Sequence, residues 1–135
     1  STTRDWADLS ACFGIHADRP EGECPDYVVY GGNMAVRAGA IDPGFGFGKT
    51  TAHNYRLLAE LPRLLALGAP VLVGVSRKRM INEVLGTRPE EALNGTTALH
   101  AIALLKGASV LRAHDAREAV QCVRLIDALR TAAQK

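Results

Sequence analysis

Asp42-Pro43-Gly44-Phe45-Gly46-Phe47-Gly48-Lys49-Thr50 closes a short apolar stretch, Ala38 to Ile41, and opens onto a helical pattern. Two later clusters repeat that arrangement. Ser76-Arg77-Lys78 ends the apolar run Ala69 to Val75, and Arg112-Ala113-His114-Asp115 ends Ser109 to Leu111. Asp42 and Ser76 are 34 residues apart, and Ser76 and Arg112 are 36 apart. Such intervals suit one strand-plus-helix unit of about 30 or more residues. Polar residues delivered one unit apart, each at the C-terminal end of a strand, describe one rim of a parallel α/β enzyme.

The units between the clusters can be read from periodicity. Leu57, Leu58, Leu61, Leu64 and Leu65 share one helical face, with Pro62 expected to break or kink the helix and Gly68 to end it. Val71, Leu72, Val73 and Val75 read as a strand buried on both faces. Arg77 to Leu85 is a short helical pattern. Thr87 and Glu90 predict a capping box with Pro89 in the first turn, opening a helix that carries Leu93, Ala101, Ile102, Leu104 and Leu105. Asp115 and Glu118 repeat that signature, and Ala119, Cys122, Val123, Ile126 and Leu129 predict the buried stripe of the last helix. Residues 1–38 differ: Pro20, Gly22, Pro25, Gly31 and Gly32 interrupt any stripe, so this segment reads as loop-rich. We take 1–135 as a single α/β domain whose strand/helix units occupy 39–135.

Bulk properties narrow the function classes. A chain of 135 residues with 47% hydrophobic content supports one globular domain. A net charge of +2 gives no argument for nucleic acid or an anionic membrane. The uncharged run Leu64 to Val75 is too short for the ~18 residues of a membrane span. Arg4, Asp5 and Asp8 interrupt any signal-peptide pattern. Cys12, Cys24 and Cys122 form an odd set without CxxC spacing, which suggests free thiols in a reducing, cytoplasmic compartment. A zinc site from Cys12, His16 and Cys24 matches no common ligand spacing, so ordinary thiols are preferred.

Each cluster has a functional and a plain reading. Gly48-Lys49-Thr50 matches the end of a phosphate-binding P-loop, but Pro43 stands where that loop needs glycine and offers no N–H. Asp42, ending a buried strand beside glycines, is placed to accept hydrogen bonds from ligand N–H groups. Arg77, Lys78 and Arg79 put three cations at a helix start, against the macrodipole, which an anionic or electron-rich ligand would offset. Arg112 and His114, two apart at a strand end, point to one side and suit an oxyanion or phosphate clamp. The plain alternative for that pair is a salt bridge with Asp115. His53 is expected at a helix start, facing solvent or capping, and His100 on a helix side. His16 suits a loop edge, while Trp6, Tyr27 and Tyr30 read as packing residues.

Together, Asp42 to Thr50 with His53-Asn54, Pro70-Val71-Leu72-Val73-Gly74-Val75-Ser76-Arg77-Lys78, Pro89 to Thr97, and Arg112-Ala113-His114-Asp115 strongly resemble dihydropteroate synthase. The resemblance runs in order from about Ala40 to about Leu129. It implies a parallel (β/α) barrel of the TIM type, here a partial or half barrel. The implied activity joins p-aminobenzoate to 6-hydroxymethyl-7,8-dihydropterin pyrophosphate, releases pyrophosphate, uses Mg2+ and is the sulfonamide target.

The resemblance also assigns roles. Asp42 would bind the pterin N–H groups, and Gly46 and Phe47 would line the pterin and p-aminobenzoate region. The Gly74 backbone and Lys78 would hold the pterin, with Lys78 also beside p-aminobenzoate. Ser76 would meet the p-aminobenzoate carboxylate, with Arg77 in the same substrate-binding set. Arg112 and His114 would hold the leaving pyrophosphate. Lys78, Arg112 and His114 are thus the expected catalytic residues, and no protein metal ligand is assigned. A barrel typically needs ~250 residues, so the early strands, their loops and the metal-binding Asn of the family have no counterpart here. His16-Ala17 is aligned with the family's Met-His-Met segment. The implied partners are the two small-molecule substrates and a second copy of the chain, as a homodimer or other self-association, with no nucleic acid and no membrane. The alternative function is a truncated, non-catalytic pterin-binding or oligomerisation protein.

Overall fold

The computed structural model describes residues 28–30, 41–46 and 48–134. Phe47, His16-Ala17, Cys12, Cys24, Trp6 and Tyr27 lie outside the described residues, and so do the readings placed on them.

In chain order the elements are β1 (Val28–Tyr30), α1 (Thr51–Ala59), α2 (Pro62–Leu65), β2 (Leu72–Val73), α3 (Arg79–Leu85), a 3-10 turn (Pro89–Glu91), α4 (Leu93–Leu105), β3 (Val110–Arg112) and α5 (Ala116–Ala133). All strand pairings are parallel, in the spatial order β1-β3-β2. Val28, Val29 and Tyr30 pair with Val110, Leu111 and Arg112, while Leu72 and Val73 pair with Val110 and Leu111 from the other side. Ile41 adds a single parallel bridge to Val71. The sheet therefore runs Ile41, β2, β3, β1. A barrel wound in chain order would place the unit before Asp42 beyond Ile41. Here β1, from the segment read as loop-rich, lies beyond β3 instead. That is the side on which a closed barrel brings its first strand against its last.

Local chemistry explains the element boundaries. Thr50 caps α1, its side chain accepting from the His53 N–H at 3.1 Å. The leucine stripe breaks at Pro62, one of the two outcomes expected, into two helices, because Pro62 lacks an N–H and takes the first-turn position of α2. Leu58 and Leu61 are buried, whereas Leu65 is exposed. Gly86, at φ 67°, ends α3 in the left-handed conformation. The capping box expected at Thr87 and Glu90 does not form: Pro89–Glu91 is a 3-10 turn in which the Arg88 N–H donates to the Glu91 carboxylate at 3.2 Å, and an arginine side chain has no acceptor to complete the box.

The core lies where the helices cover the short strands. Val71, Leu72, Val73, Val75 and Leu111 are buried, as the double-faced strand reading required. Each such side chain contributes about 1.5–3 kcal/mol when fully buried. Ala119, Cys122 and Ile126 form the buried stripe of α5, but Leu129 is 56% exposed, contrary to expectation. The stripe was extended one turn too far, past the end of the covered face. On α4 the apolar periodicity also misleads: Ile102 and Leu105 are exposed, while Gly95, Thr96, Leu99, His100, Ala103 and Leu104 are buried. Among the described residues, no helix is long and apolar enough to cross a membrane.

Candidate active site

Three chain segments converge at the C-terminal ends of the strands. The first is the glycine loop. Gly44, Gly46 and Gly48 all have positive φ (74°, 88° and 65°), which explains why glycine alternates there. Phe45 is buried and anchors the loop. The Asp42 Oδ1 accepts from the Gly44 N–H at 2.9 Å, and buried Asn54 accepts from the Gly46 N–H at 2.9 Å. Lys49 turns back onto its own loop, donating to the Gly44 carbonyl at 2.8 Å. That lysine braces the loop, and with Pro43 it leaves little of the P-loop reading.

The second segment follows β2. Lys78 crosses to the glycine loop, and its Nζ donates to the Phe45 carbonyl at 2.5 Å. A Cβ built on Gly46 would sit 3.2 Å from the Lys78 side chain, so the loop's lack of a side chain admits the lysine. Burial, then the Arg112 charge, pushes the Lys78 amine below its ordinary range, with Asp42 acting the opposite way and Lys49 lowering it further. Arg112, Asp42 and Lys49 are thus the charges that act on the Lys78 amine.

The third segment follows β3. Arg112 lies flat against Gly74: a Cβ there would come within 2.8 Å of Nη2 and 3.1 Å of Nε. His114 meets Ser76 twice. Its ring Nδ1 is 2.8 Å from Oγ, and its backbone N–H donates to the same oxygen at 3.1 Å. Ser76 is buried, and its hydroxyl, with one hydrogen and two lone pairs, can serve both contacts. Arg112 and His114 thus dock on Gly74 and Ser76, two residues apart on the neighbouring segment.

Other placements were not legible in the sequence. Asp115 pairs with Arg77, at 2.7 Å to Nη2 and 3.0 Å to Nε, and not with Arg112 or His114. The bridge holds the Asp115 carboxyl below its usual range and raises the Arg77 guanidinium. Asp115 stands at the N-cap of α5 but makes no side-chain cap bond. Arg79 pairs with Glu83 one helical turn on. The cation mismatch at the start of α3 is therefore offset for Arg77 and Arg79 inside the chain, leaving Lys78 directed at the rim. Asn54 and Thr96 were missed as well; their signal is a buried polar side chain, which a linear sequence does not mark. His53 is exposed, as expected, but His100 is buried. Among the described residues, no three His, Cys, Asp or Glu side chains gather to hold a metal. The donor set on this rim does not by itself fit Mg2+, which takes an octahedron of oxygens.

Comparisons with known proteins point the same way. Residues 35–114 match the family model described as "Pterin binding enzyme". The dihydropteroate synthase of Escherichia coli (strain K12) is 47% identical over 88 residues, covering 65% of this chain and 31% of that protein. The dihydropteroate synthase of Mycobacterium leprae (strain TN) is 38% identical over 136 residues, covering 84% of this chain and 48% of that protein. Among solved structures, Yersinia pestis dihydropteroate synthase with a pterine-sulfa conjugate aligns with a TM-score of 0.68 at 44% identity, over 69% of this chain and 37% of that one. The Thermus thermophilus enzyme in complex with 4-aminobenzoate gives a TM-score of 0.64 at 46% identity, over 67% of this chain and 35% of that one. The fold is thus part of the TIM-type barrel expected from the resemblance. The chain spans between about a third and a half of the length of these curated relatives. With the glycine loop, Lys78 and Arg112 on one rim and the family model covering residues 35–114, this chain belongs to the pterin binding enzyme family.

Proposed function

We propose that this chain supplies the Asp42, Lys78 and Arg112 rim of a dihydropteroate synthase site. The observation that carries the reading is the convergence of the three segments, with Lys78 seated on the Phe45 carbonyl and Arg112 on Gly74. The exposed Asp42 carboxylate accepts the N–H groups of the pterin. The amine nitrogen of p-aminobenzoate attacks the pterin methylene, the carbon–oxygen bond to pyrophosphate breaks, and the amine sheds a proton. Negative charge grows on the leaving oxygens, where Arg112 and His114 stabilise it. Lys78 lies between the two halves of the site. Its partly desolvated ammonium is a stronger electrostatic partner for an electron-rich ring than a fully hydrated one. When Mg2+ is bound, it would neutralise pyrophosphate charge, using ligands outside this rim.

The substrates are then p-aminobenzoate and the dihydropterin pyrophosphate. Self-association, as a homodimer, is supported by Ile102 and Leu105 on α4 and by Leu125 and Leu129 on α5, all exposed.

The test is dihydropteroate formation with Mg2+ and both substrates, using the chain alone and mixed with the N-terminal half of the Escherichia coli relative. Lys78→Ala and Arg112→Ala should each abolish turnover; turnover that survives both would refute the assignment. A second reading is a pterin-binding protein without turnover, which keeps the exposed Asp42 carboxylate as its pterin contact. It predicts calorimetric binding of a pterin analogue, lost on Asp42→Asn, with no product formed in any mixture.

A further inference from the structure

We propose that Arg77 is a positioning residue, which pins the turn after β2 so that its neighbours Ser76 and Lys78 are delivered to the rim. The inference rests on the proposed site, and it gives Arg77, which the resemblance assigns to the substrate-binding set, a role through its protein partners instead.

The turn spans Val75 to Lys78 and is closed by the Lys78 N–H donating to the Val75 carbonyl at 3.1 Å. Arg77 holds its third position at φ 55°, the sole described non-glycine residue with positive φ. Glycine or asparagine normally takes that place, because a Cβ is strained there. A strained residue persists only where its surroundings over-determine it.

The surroundings of Arg77 do so through every polar group it has. Its N–H donates to Thr96 Oγ1 on α4 at 3.0 Å, and Thr96 is buried. The Arg77 carbonyl accepts from Asn82 Nδ2 on α3 at 3.3 Å. Its guanidinium grips both oxygens of Asp115, in the loop after β3, and Nη1 reaches the Pro89 carbonyl of the 3-10 turn at 3.2 Å. Four separate elements thus hold one residue. On one side of it, Ser76 receives His114; on the other, Lys78 seats on Phe45. The bridge to Asp115 also ties the loop bearing Lys78 to the loop bearing His114, only one residue from His114. A lysine at position 77 could not reproduce the two-pronged grip, since its ammonium is a single point of charge.

The ligand-free readout is the rate at which acetic anhydride modifies Lys78 in the full chain, with Lys106 as internal reference. Arg77→Gly relieves the backbone strain but removes the grip, and Asp115→Asn keeps the side-chain shape but removes the charge. Loss of a charge-assisted pair should raise Lys78 modification about fivefold in both variants, with Lys106 unchanged. Arg77→Lys should fall between wild type and Arg77→Gly. A Lys78 rate within about twofold of wild type in Arg77→Gly and Asp115→Asn overturns the proposal, and so does an equal rise at Lys106, which reports general unfolding. Binding of p-aminobenzoate is the second arm. Failure of the wild-type chain to bind it counts against the proposed function, while the Lys78 rates still decide the role of Arg77.

Discussion

His100 should make this protein lose stability as the pH falls below about 6.5. The side chain is 1% exposed in α4, and among the described residues its Nε2 has no hydrogen-bond partner. Burial lowers its pKa from 6.5 to about 4, with the Asp115 charge opposing weakly. The sign follows from linkage. Above pH 6.5 the ring is neutral in both states and contributes no pH dependence. As pH falls below 6.5 the unfolded chain takes up a proton that the folded chain refuses until about pH 4. Stability is therefore present above the unfolded value and is lost progressively down to the folded one. The gap between 6.5 and about 4, at about 1.4 kcal/mol per pH unit, corresponds to roughly 3 kcal/mol. That is a large fraction of the ~5–15 kcal/mol typical of a domain. Asp115, whose carboxyl is also lowered, loses its contribution only at more acid pH, below the ordinary carboxylate range.

The assay is urea denaturation at half-unit steps from pH 8 to pH 4.5, comparing wild type with His100→Leu. The wild type should weaken steeply below about pH 6.5, and the leucine variant should not share that slope. At pH 8 the variant should be at least as stable, because it removes an unsatisfied buried nitrogen that costs about 1–3 kcal/mol. Parallel profiles for the two proteins would refute the argument, since the slope would then belong to other groups.

Other consequences follow from close approaches and buried polar contacts. Gly74→Ala should leave the melting temperature within a few degrees of wild type but weaken binding of inorganic pyrophosphate about tenfold, measured by calorimetry. The new Cβ displaces the Arg112 guanidinium from a 2.8 Å approach, and a charged hydrogen bond is worth about 1.5–3 kcal/mol. Asn54→Leu should cost about 1–3 kcal/mol in denaturant and speed amide exchange at Gly46, whose N–H would lose its acceptor. Gly107→Ala should destabilise by about 1–3 kcal/mol, because φ is 106° there and the Cβ would come within 2.3 Å of Leu65. An unchanged unfolding midpoint would show that Leu65 simply moves aside and that the strain is relieved locally.

Periodicity carried the strand and helix units well, because burial and period are the same physical fact seen twice. The run Val71 to Val75 is buried as read, and Pro62 divides its helix for a reason visible in one residue. Boundaries and outer faces were less legible. Leu129, Ile102 and Leu105 fit an apolar stripe yet lie exposed, since the stripe does not say how far the neighbouring element extends. His100 lies on the side of α4, as read, but its burial was not legible, because whether a side is covered depends on what packs there.

By itself the sequence determined that three strand ends would carry Asp42, Lys78 and Arg112 at regular intervals, and that glycines would alternate beside Asp42. Those are local properties of chain spacing and backbone freedom. Only the tertiary structure decided where Arg77 and Lys78 go. Arg77, Lys78 and Arg79 are consecutive cations in the chain. Folding sends one to Asp115, one to the Phe45 carbonyl and one to Glu83. For Arg77 and Lys78 partner choice depends on segments more than 30 residues away in sequence and on the left-handed turn at Arg77, whereas Arg79 and Glu83 are a local pair one helical turn apart. The placement of β1 beyond β3 is equally a tertiary decision, because a three-residue strand carries too little pattern to name its neighbour.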